Sequence, residues 1–447
     1  MFIYRPDKML YILCLFFLCL ILLNGCGSSP TSDKIVTPSP SVDVTATTQP
    51  CGLSSCPDTA TTPDGLPFAD TWSDVHLFQS FTFHLNQPKL IADVAKYNDF
   101  IWGVEPYKVA AFRAENPQAL LGYYIPLNRD HGSFDDEDLG RQHDLAYWQA
   151  FHPDWVLYKC DRVTPVKLFH DPNISLDMTN PDVINWQIQT YALPASTTGY
   201  DVLSVDNLNL ENLFGACGFY RNGQWVQRYT GALNDQQYRL DLLGWITAMQ
   251  KAIRALPRPL ALIANIGYGP NAPSLKDPIL RQIVDHLDGV LDEKGFTDYG
   301  AGYTTNESWT QTVQFIQDIQ QLDKPYYIVD EFGTSVLNND EIQWGLASYL
   351  MCKDHMASLF MSRIQDYGSD LRREEYGAHI GTPQGNMYSA QNVYWRNYSN
   401  GKVIVNASNV YDHTITLDAS TYIDIYGNHV SQTITLPPHS GLILLSQ

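Results

Sequence analysis

Residues 199–207 read Gly-Tyr-Asp-Val-Leu-Ser-Val-Asp-Asn, a short apolar run that ends in an acid and an amide. The core of this segment, Val202–Asp206, has the length and the β-branched residues of a buried strand. Ser204 and Asp206 share one face of that strand, while the apolar residues beside them share the other. A small and polar face suits the interior of a β-barrel, so we expect Asp206 to project into the barrel mouth.

The same pattern extends in both directions, because short apolar runs alternate with helical stretches from Asp64 to Gln384. The eight candidate strands are Val75–Phe81, Phe100–Val104, Leu120–Ile125, Val202–Asp206, Leu260–Asn265, Gly289–Glu293, Tyr326–Glu331 and Ser358–Ser362. The candidate helices are Pro88–Tyr97, Pro181–Tyr191, Asp235–Ala255, Leu280–Leu287, Trp309–Leu322 and Asp340–Lys353. This alternation predicts a (β/α)8 or TIM barrel over residues 64–385. An open doubly wound sheet is the alternative, but its GxGxxG phosphate turn does not occur in the sequence.

Residues 386–447 change character, with short strand-like runs separated by turn signals. The candidate strands are Val393–Tyr398, Lys402–Asn406, Thr414–Leu417, Tyr422–Tyr426, Gln432–Leu436 and Gly441–Leu445. Asn400-Gly401 is a strong signal for a two-residue hairpin turn. We therefore expect a small antiparallel β-sandwich appended to the barrel.

The amino-terminal sequence predicts where in the cell the protein is located. Arg5 and Lys8 precede an apolar run over residues 9–23 that is shorter than the ~20 residues of a membrane-spanning helix. Residues 23–26 read Leu-Asn-Gly-Cys, which resembles a bacterial lipobox, so residues 1–25 would be a signal peptide and Cys26 the lipidated first residue. Residues 26–63 are rich in Ser, Thr and Pro, as in a flexible tether. The prediction is a lipid-anchored protein outside the bacterial cytoplasmic membrane, with an uncleaved anchor helix as the alternative.

Composition excludes several classes of protein. The 447 residues carry 28 Lys and Arg against 48 Asp and Glu, a formal net charge of −20, and 12% of them are aromatic. With 44% hydrophobic residues the chain can bury a sizeable core, which excludes disorder throughout. No stripe of Lys and Arg exists, which argues against nucleic-acid binding. The acidic, aromatic-rich balance suits a secreted protein that handles uncharged or cationic polar ligands.

Five cysteines remain once the predicted leader and Cys26 are set aside, namely Cys51, Cys56, Cys160, Cys217 and Cys352. The first two are close enough in sequence to close a small loop in an oxidising compartment. Five is odd, so at least one thiol stays unpaired, and the pairing of the last three is left open. No pair has the spacing of a zinc site, and we expect neither a metal nor a cofactor.

Acids end three of the candidate strands, where a barrel places its reactive side chains. They are Asp206, Asp292-Glu293 and Asp330-Glu331, and Asp177 follows a further apolar run near the same rim. An acid directly after buried apolar residues destabilises the fold unless its carboxylate is paired with another group or takes part in binding or catalysis. One such acid is most often structural, but several at one rim favour function. Alternation leaves open which acid of each Asp-Glu pair faces the mouth, although the longer reach of Glu293 suits proton transfer.

Two carboxylates that face each other across a cleft are the minimal apparatus of glycoside hydrolysis, one ionised and the other donating a proton. Neutral groups suited to sugar hydroxyls occur at Asn207, Asn209 and Asn265, and Arg129 can join them. Aromatic side chains that fit sugar faces are Trp72, Trp102, Tyr123, Tyr124, Trp225, Tyr268, Tyr303 and Trp309. The motifs GxSxG, HExxH and GxxxxGK(S/T) are absent, which argues against serine-hydrolase, zinc-peptidase and P-loop chemistry.

Five parts of the chain carry a family resemblance: residues 176–181 (Leu-Asp-Met-Thr-Asn-Pro), residues 199–207, Asn265, residues 289–296 (Gly-Val-Leu-Asp-Glu-Lys-Gly-Phe) and residues 394–401 (Tyr-Trp-Arg-Asn-Tyr-Ser-Asn-Gly). In this order they resemble the glycosyl-hydrolase-like proteins grouped as hypothetical family fifteen. The resemblance spans Val75 to Leu445 and implies a TIM-barrel glycosidase, distantly similar to α-galactosidase and polygalactosaminidase barrels. In those relatives an Asp ending the fourth strand is the nucleophile and, in the polygalactosaminidase type, a Glu near the sixth is the proton donor. The resemblance implies these roles for Asp206 and Glu293.

The sequence therefore predicts a lipid-anchored glycoside hydrolase of the retaining type, with Asp206 and Glu293 as its catalytic residues. The expected substrate-binding residues are Asp177, Asn207, Asn265, Glu331, Asp330, Tyr124, Arg129 and Tyr268. The alternative is a non-catalytic carbohydrate-binding lipoprotein that keeps the barrel but not turnover. Convergence of Asp206 and Glu293 in one cleft would favour the enzyme, and placement at opposite ends would favour the binding protein. The sugar, its linkage and the oligomeric state stay open.

Overall fold

A computed structural model describes residues 61–85, 87–134, 142–169, 173–269, 272–369 and 372–447. These residues all belong to a compact unit that runs from Thr59 to Gln447. The predicted leader, the lipidation site at Cys26, most of the tether and the Cys51–Cys56 pair lie outside the described residues.

Eight parallel strands close into a barrel, which confirms the predicted (β/α)8 fold. The strands are β1 (Leu77–Ser80), β2 (Asn98–Trp102), β3 (Leu120–Pro126), β4 (Val202–Asn209), β5 (Ala261–Gly267), β6 (Gly289–Asp292), β7 (Tyr326–Phe332) and β8 (Ala357–Arg363). Each strand pairs with its neighbours in chain order. The last strand returns to the first, where Leu77 pairs with Leu359.

Helices surround the barrel on its outer side. They are α1 (Pro88–Tyr97), α2 (Val109–Glu115), α3 (Leu145–Phe151), α4 (Pro181–Gln187), α5 (Leu193–Thr198), α6 (Gln236–Arg254), α7 (Pro278–His286), α8 (Asn306–Gln320) and α9 (Asn339–Cys352). Side chains cap several of them, as where Asp235 accepts a hydrogen bond from the Tyr238 amide at the start of α6. Within the described ranges, the structure contains no helix with the length and apolar content needed to cross a membrane.

The barrel interior is filled by one face of each strand. Its apolar part comprises Phe78, Phe100, Trp102, Leu120, Tyr124, Val202, Ala261, Ile263, Leu291, Tyr327, Val329 and Phe360. Since strand side chains alternate, Asp206, Asn265, Glu293 and Glu331 lie on this inward face, directly beyond the apolar layers. The intervening residues, such as Asp292 and Asp330, face the helices.

An accessory hairpin extends the loop after β4. Strands Gly218–Arg221 and Gln224–Gln227 pair with each other, and the first also pairs with Leu157–Tyr158. A disulfide between Cys160 and Cys217 joins the two parts of this sheet. Cys352 is a buried free thiol.

The carboxy-terminal region forms two antiparallel sheets. Their strands are β9 (Tyr388–Ala390), β10 (Val393–Tyr398), β11 (Gly401–Asn406), β12 (His413–Thr416), β13 (Tyr422–Asp424), β14 (Thr433–Leu436) and β15 (Ser440–Ser446). The larger sheet has the order β9-β10-β11-β15-β13, and β12 pairs with β14 in the smaller one. Trp395, Ile404, Ile415 and Leu444 belong to the buried apolar cluster of this region. The predicted small β-sandwich is therefore present.

Candidate functional site

Asp206 stands at the mouth of the barrel, where β4 reaches its carboxyl end. Its Oδ1 accepts hydrogen bonds from the Asn207 amide at 2.7 Å and from Asn265 Nδ2 at 2.8 Å. Its Oδ2 accepts from Asn207 Nδ2 at 2.7 Å and from the Tyr124 hydroxyl at 2.8 Å. The residue is half-buried, so the carboxylate combines four donors with access from solvent.

Asn265 links this carboxylate to a second one. The same Nδ2 that contacts Asp206 also donates to Glu293 Oε2 at 2.8 Å. Because both oxygens lie 2.8 Å from this one nitrogen, the distance between them is at most about 5.6 Å. Glu293 is also half-buried. The structure therefore brings Asp206 and Glu293 together at one end of the barrel, where both contact a single amide nitrogen.

Tyrosines enclose the acid pair. Burial, together with the charge of Asp206, raises the pKa of Tyr124 well above its usual value, so its hydroxyl stays a donor. The Arg129 guanidinium approaches this hydroxyl at 3.4 Å. On the other side the Tyr367 hydroxyl lies 3.5 Å from Glu293 Oε1. Burial and the charges of the surrounding acids likewise raise the pKa of Tyr367.

The two Asp-Glu pairs divide between the two faces of the barrel wall. Glu293 and Glu331 face inward, and the Glu331 backbone amide donates to Thr297 Oγ1 at 2.9 Å. Asp292 faces outward and is fully buried, and burial raises its pKa. Asp330 also faces outward and is fully buried, and burial raises its pKa to about 7. The structure thus places only the glutamate of each pair at the mouth.

Three predicted binding residues lie apart from this cluster. The Tyr268 hydroxyl donates to the outward-facing Asp292 at 2.8 Å. Asp177 is buried near the accessory hairpin, where Thr179 donates to its Oδ1 and Arg221 lies 3.5 Å from its Oδ2. Asp330 faces outward and is fully buried, as described above. Asn207, Asn265, Glu331, Tyr124 and Arg129 are the predicted binding residues that surround the acid pair.

Most of the predicted sugar-facing aromatics also lie elsewhere. Trp309 is completely buried against the Ser348 hydroxyl, and Tyr303 packs on His439. Trp72 precedes β1 and stacks on His355.

Two aromatic residues at the mouth escaped the sequence prediction. Tyr367 lies in the loop after β8, where its hydroxyl donates to Ser80 Oγ at 2.9 Å. Phe81 follows β1 with a left-handed backbone (φ 58°), and its ring packs between Tyr124 and Tyr367. A phenylalanine in that conformation is strained, which is typical of residues held in place at a functional site. The sequence signal for Phe81 was its place at the end of the candidate strand Val75–Phe81, and the signal for Tyr367 was its place in the loop after the candidate strand Ser358–Ser362.

A cavity lies next to the residues that follow β4 and β5. Its volume is about 620 Å³, and it is lined by Glu211, Arg239, Tyr268 and Asp277 among others. Neither Asp206 nor Glu293 lines it. The paired carboxylates, and not this cavity, mark the candidate active site.

The donors around the acid pair are amides and phenols, which bind carboxylates and sugar hydroxyls. Within the part of the chain that the structure describes, no three His, Cys, Asp or Glu residues are grouped so that they could hold a metal ion. The arrangement is suited to proton transfer and nucleophilic attack by carboxylates.

Solved structures that are similar to this chain include several glycoside hydrolases. A maltogenic α-amylase from Thermotoga neapolitana is 11% identical, with a TM-score of 0.44, over 81% of this chain and 94% of its own. A GH27 β-L-arabinopyranosidase from Geobacillus stearothermophilus is also 11% identical, with a TM-score of 0.46, over 84% of this chain and 96% of its own. No protein-family model and no curated protein matches the chain. These similarities are weak, and the barrel is defined by the strand order described above.

Proposed function

We propose that this protein is a retaining glycoside hydrolase that acts on a poly- or oligosaccharide. The observation that carries the proposal is the Asn265 amide, which contacts both Asp206 and Glu293 at 2.8 Å. The nearest oxygens of the two carboxyl groups are thus at most about 5.6 Å apart, which agrees with the spacing of about 5–5.5 Å in retaining enzymes and is below the roughly 6.5–9.5 Å of inverting enzymes. The resemblance to hypothetical family fifteen agrees with this proposal.

The roles of the two carboxylates follow the family resemblance, which implies an Asp at the end of the fourth strand as nucleophile and a Glu near the sixth as proton donor. Four hydrogen bonds hold the Asp206 carboxyl group in place at the mouth, and we assign this residue as the nucleophile. It attacks the anomeric carbon and forms a glycosyl ester, while Glu293 gives its proton to the departing oxygen. Glu293 then takes a proton from water, and that water breaks the ester bond and regenerates Asp206.

The remaining mouth residues would hold the sugar. Asn207, Arg129, Glu331 and Tyr367 surround the acid pair and can hydrogen-bond hydroxyl groups. The concentration of acids at the mouth and the net charge of −20 disfavour a strongly anionic polymer. The proposed substrate class is therefore a neutral or amino-sugar polymer.

The direct test is a pair of isosteric variants, Asp206→Asn and Glu293→Gln, assayed for reducing-sugar release on a polysaccharide panel. We expect each to lower kcat/KM by about 10²–10⁴-fold on the best substrate of the wild type. Asp288→Asn is the matched control, since Asp288 precedes β6 at the opposite end of the barrel and pairs with Arg254. Full activity of both site variants would contradict the proposal. Polysaccharide binding by the wild type without any product would favour the non-catalytic alternative.

We further propose that the enzyme works outside the cytoplasmic membrane, tethered by a lipid on Cys26. The motivation is the basic and apolar leader that ends in Leu-Asn-Gly-Cys at residues 23–26. Cys26→Ala should abolish fatty-acid labelling of the protein in bacterial cells. Unchanged labelling of this variant would contradict the anchor.

A further inference from the structure

Asp292 and Asp330, the outward-facing acids at the ends of β6 and β7, both accept hydrogen bonds from the turn that follows Glu293. Asp292 Oδ1 accepts hydrogen bonds from the amides of Lys294 at 2.9 Å and Gly295 at 3.3 Å. Asp330 Oδ1, on the neighbouring strand, accepts from the Phe296 amide at 2.6 Å. The backbone amides of the three residues that follow Glu293 therefore all donate to carboxyl groups on the outer side of the barrel.

The packing around Asp330 leaves this turn little freedom. Gly295 has a left-handed backbone (φ 50°), and a Cβ there would collide with Asp330 Oδ1 and the Val329 carbonyl oxygen. On the other side, a Cβ on Gly345 of α9 would lie 3.1 Å from Asp330 Oδ2. The carboxyl group is thus enclosed between the turn and the helix, each of which contributes a glycine.

The burial of Asp330 destabilises the folded state, so stability alone does not explain an acid at this position. Asp330 is completely buried, and its Oδ2 has no hydrogen-bond partner among the described residues. A buried polar atom without a partner destabilises the folded state, and an apolar residue would avoid that cost. The hydrogen bond that Asp330 Oδ1 accepts from the Phe296 amide is the contact that an apolar residue could not supply.

We propose that Asp330, supported by Asp292, is a positioning residue that holds the turn after β6 and thereby keeps the Glu293 carboxylate against Asn265. The effect of Asp330 on catalysis rests on the proposed function above, because Glu293 as a proton donor must lie within hydrogen-bond reach of the departing oxygen. Its structural consequence does not depend on any activity. The two parts can therefore fail separately.

The structural test compares crystal structures of Asp330→Ala, Asp330→Asn and the Asp288→Asn control. In Asp330→Ala the Phe296 amide loses its acceptor, and we expect Glu293 Oε2 to move out of hydrogen-bond reach of Asn265. In Asp330→Asn the carboxamide oxygen replaces Oδ1, so the Glu293 contact should remain as in the wild type. An unmoved Glu293 in Asp330→Ala would overturn the proposal. Independently of that variant's folding, rapid hydrogen exchange at the Phe296 amide of the wild type would also overturn it.

The catalytic test uses two aryl glycosides of the sugar that the wild type cleaves best. A phenyl leaving group needs a proton from Glu293, whereas a dinitrophenyl group leaves without one. Asp330→Ala should therefore lower kcat/KM on the phenyl glycoside at least about tenfold more than on the dinitrophenyl glycoside, and Asp330→Asn should restore most of this difference. Equal losses on both substrates would indicate a merely structural role. Full activity of Glu293→Gln would instead refute the proposed function.

Discussion

Asn265 is the residue that joins the two proposed catalytic carboxylates. Its single Nδ2 binds an oxygen of each, and its Oδ1 lies 3.4 Å from the Glu293 amide, so both ends of the side chain have partners. A hydrogen bond to a charged group contributes about 1.5–3 kcal/mol. Asn265 also separates two acids that would otherwise repel each other.

Asn265→Ala should therefore lower kcat/KM by roughly 10–100-fold, the equivalent of one charge-assisted hydrogen bond. The loss should appear in kcat, because the amide acts on the carboxylates and not on distant parts of the substrate. Michaelis–Menten kinetics on the best substrate measure both parameters. A change confined to KM would show that Asn265 only binds sugar.

Asp330 should impose a distinct pH dependence on stability. Its folded-state pKa of about 7 lies above the ordinary 3.8, because the carboxyl is buried. Its contribution to folding is therefore complete below pH 3.8 and is lost as the pH rises to about 7. Asp330→Asn does not titrate, so its free energy of unfolding relative to the wild type should rise by about 1.4 kcal/mol per pH unit over this range. Urea unfolding from pH 4 to 8 measures the difference, and a flat difference would contradict the assignment.

At the scale of elements, α9 is tied to the carboxy-terminal sheet by a buried arginine. Arg396 on β10 donates to the carbonyl oxygens of Leu350, Met351 and Lys353 at 2.7–3.2 Å and to Asp354 Oδ1 at 2.6 Å. These carbonyls end the helix and have no acceptor role within it. The sheet thus caps a barrel helix.

Arg396→Met should lower the free energy of unfolding by about 2–4 kcal/mol, because the carbonyl oxygens of Met351 and Lys353 lose the donor that Arg396 provides. The Leu350 carbonyl keeps the Tyr398 hydroxyl as a donor at 2.6 Å. Arg281→Ala is the surface control, since the Arg281–Asp285 pair is exposed and should contribute less than about 1 kcal/mol. Urea unfolding of both variants gives the comparison. Equal stabilities would show that the sheet does not support the helix.

The elements also show where sequence reasoning stopped. Alternation placed Asp206 correctly on the inward face of β4, because Ser204 marks that face of the strand as small and polar. It could not separate Asp292 from Glu293, since only the three-dimensional register of β6 decides which side chain faces inward. The predicted hairpin at Asn400-Gly401 exists, but Ser399 and Asn400 form its loop and Gly401 already pairs with Tyr398. A Cβ at Gly401 would collide with the Leu444 carbonyl oxygen, so close packing and not the turn explains this glycine.

At the scale of the whole molecule, periodicity was sufficient for the barrel and the appended sheets, since each strand carries its own apolar signal. The contacts among Tyr124, Asn265 and Tyr367 could not be predicted in this way. They join residues from β3, β5 and the loop after β8, and only barrel closure brings these together. The Cys160–Cys217 pairing was likewise set by the fold of the accessory hairpin.

The overall charge predicts which polymers the protein accepts. With a net charge of −20 and acids at the mouth, a neutral polysaccharide should be cleaved faster than a uronate polymer of similar backbone. Added salt screens charges beyond about 8–10 Å at 0.1–0.15 M, so it should reduce this preference. Rates on both polymers at low and high salt provide the measurement. Faster cleavage of the uronate at low salt would contradict the expectation.

The central claim is that Asp206 forms a covalent bond to the sugar while Glu293 handles the proton. Incubation with a 2-deoxy-2-fluoro glycoside of the best-cleaved sugar, which slows breakdown of a glycosyl ester, should trap that intermediate. Peptide mass spectrometry should then locate one sugar on the peptide that contains Asp206, and Asp206→Asn should remain unlabelled. A sugar attached to any other residue, or hydrolysis with inversion and no adduct, would contradict the account.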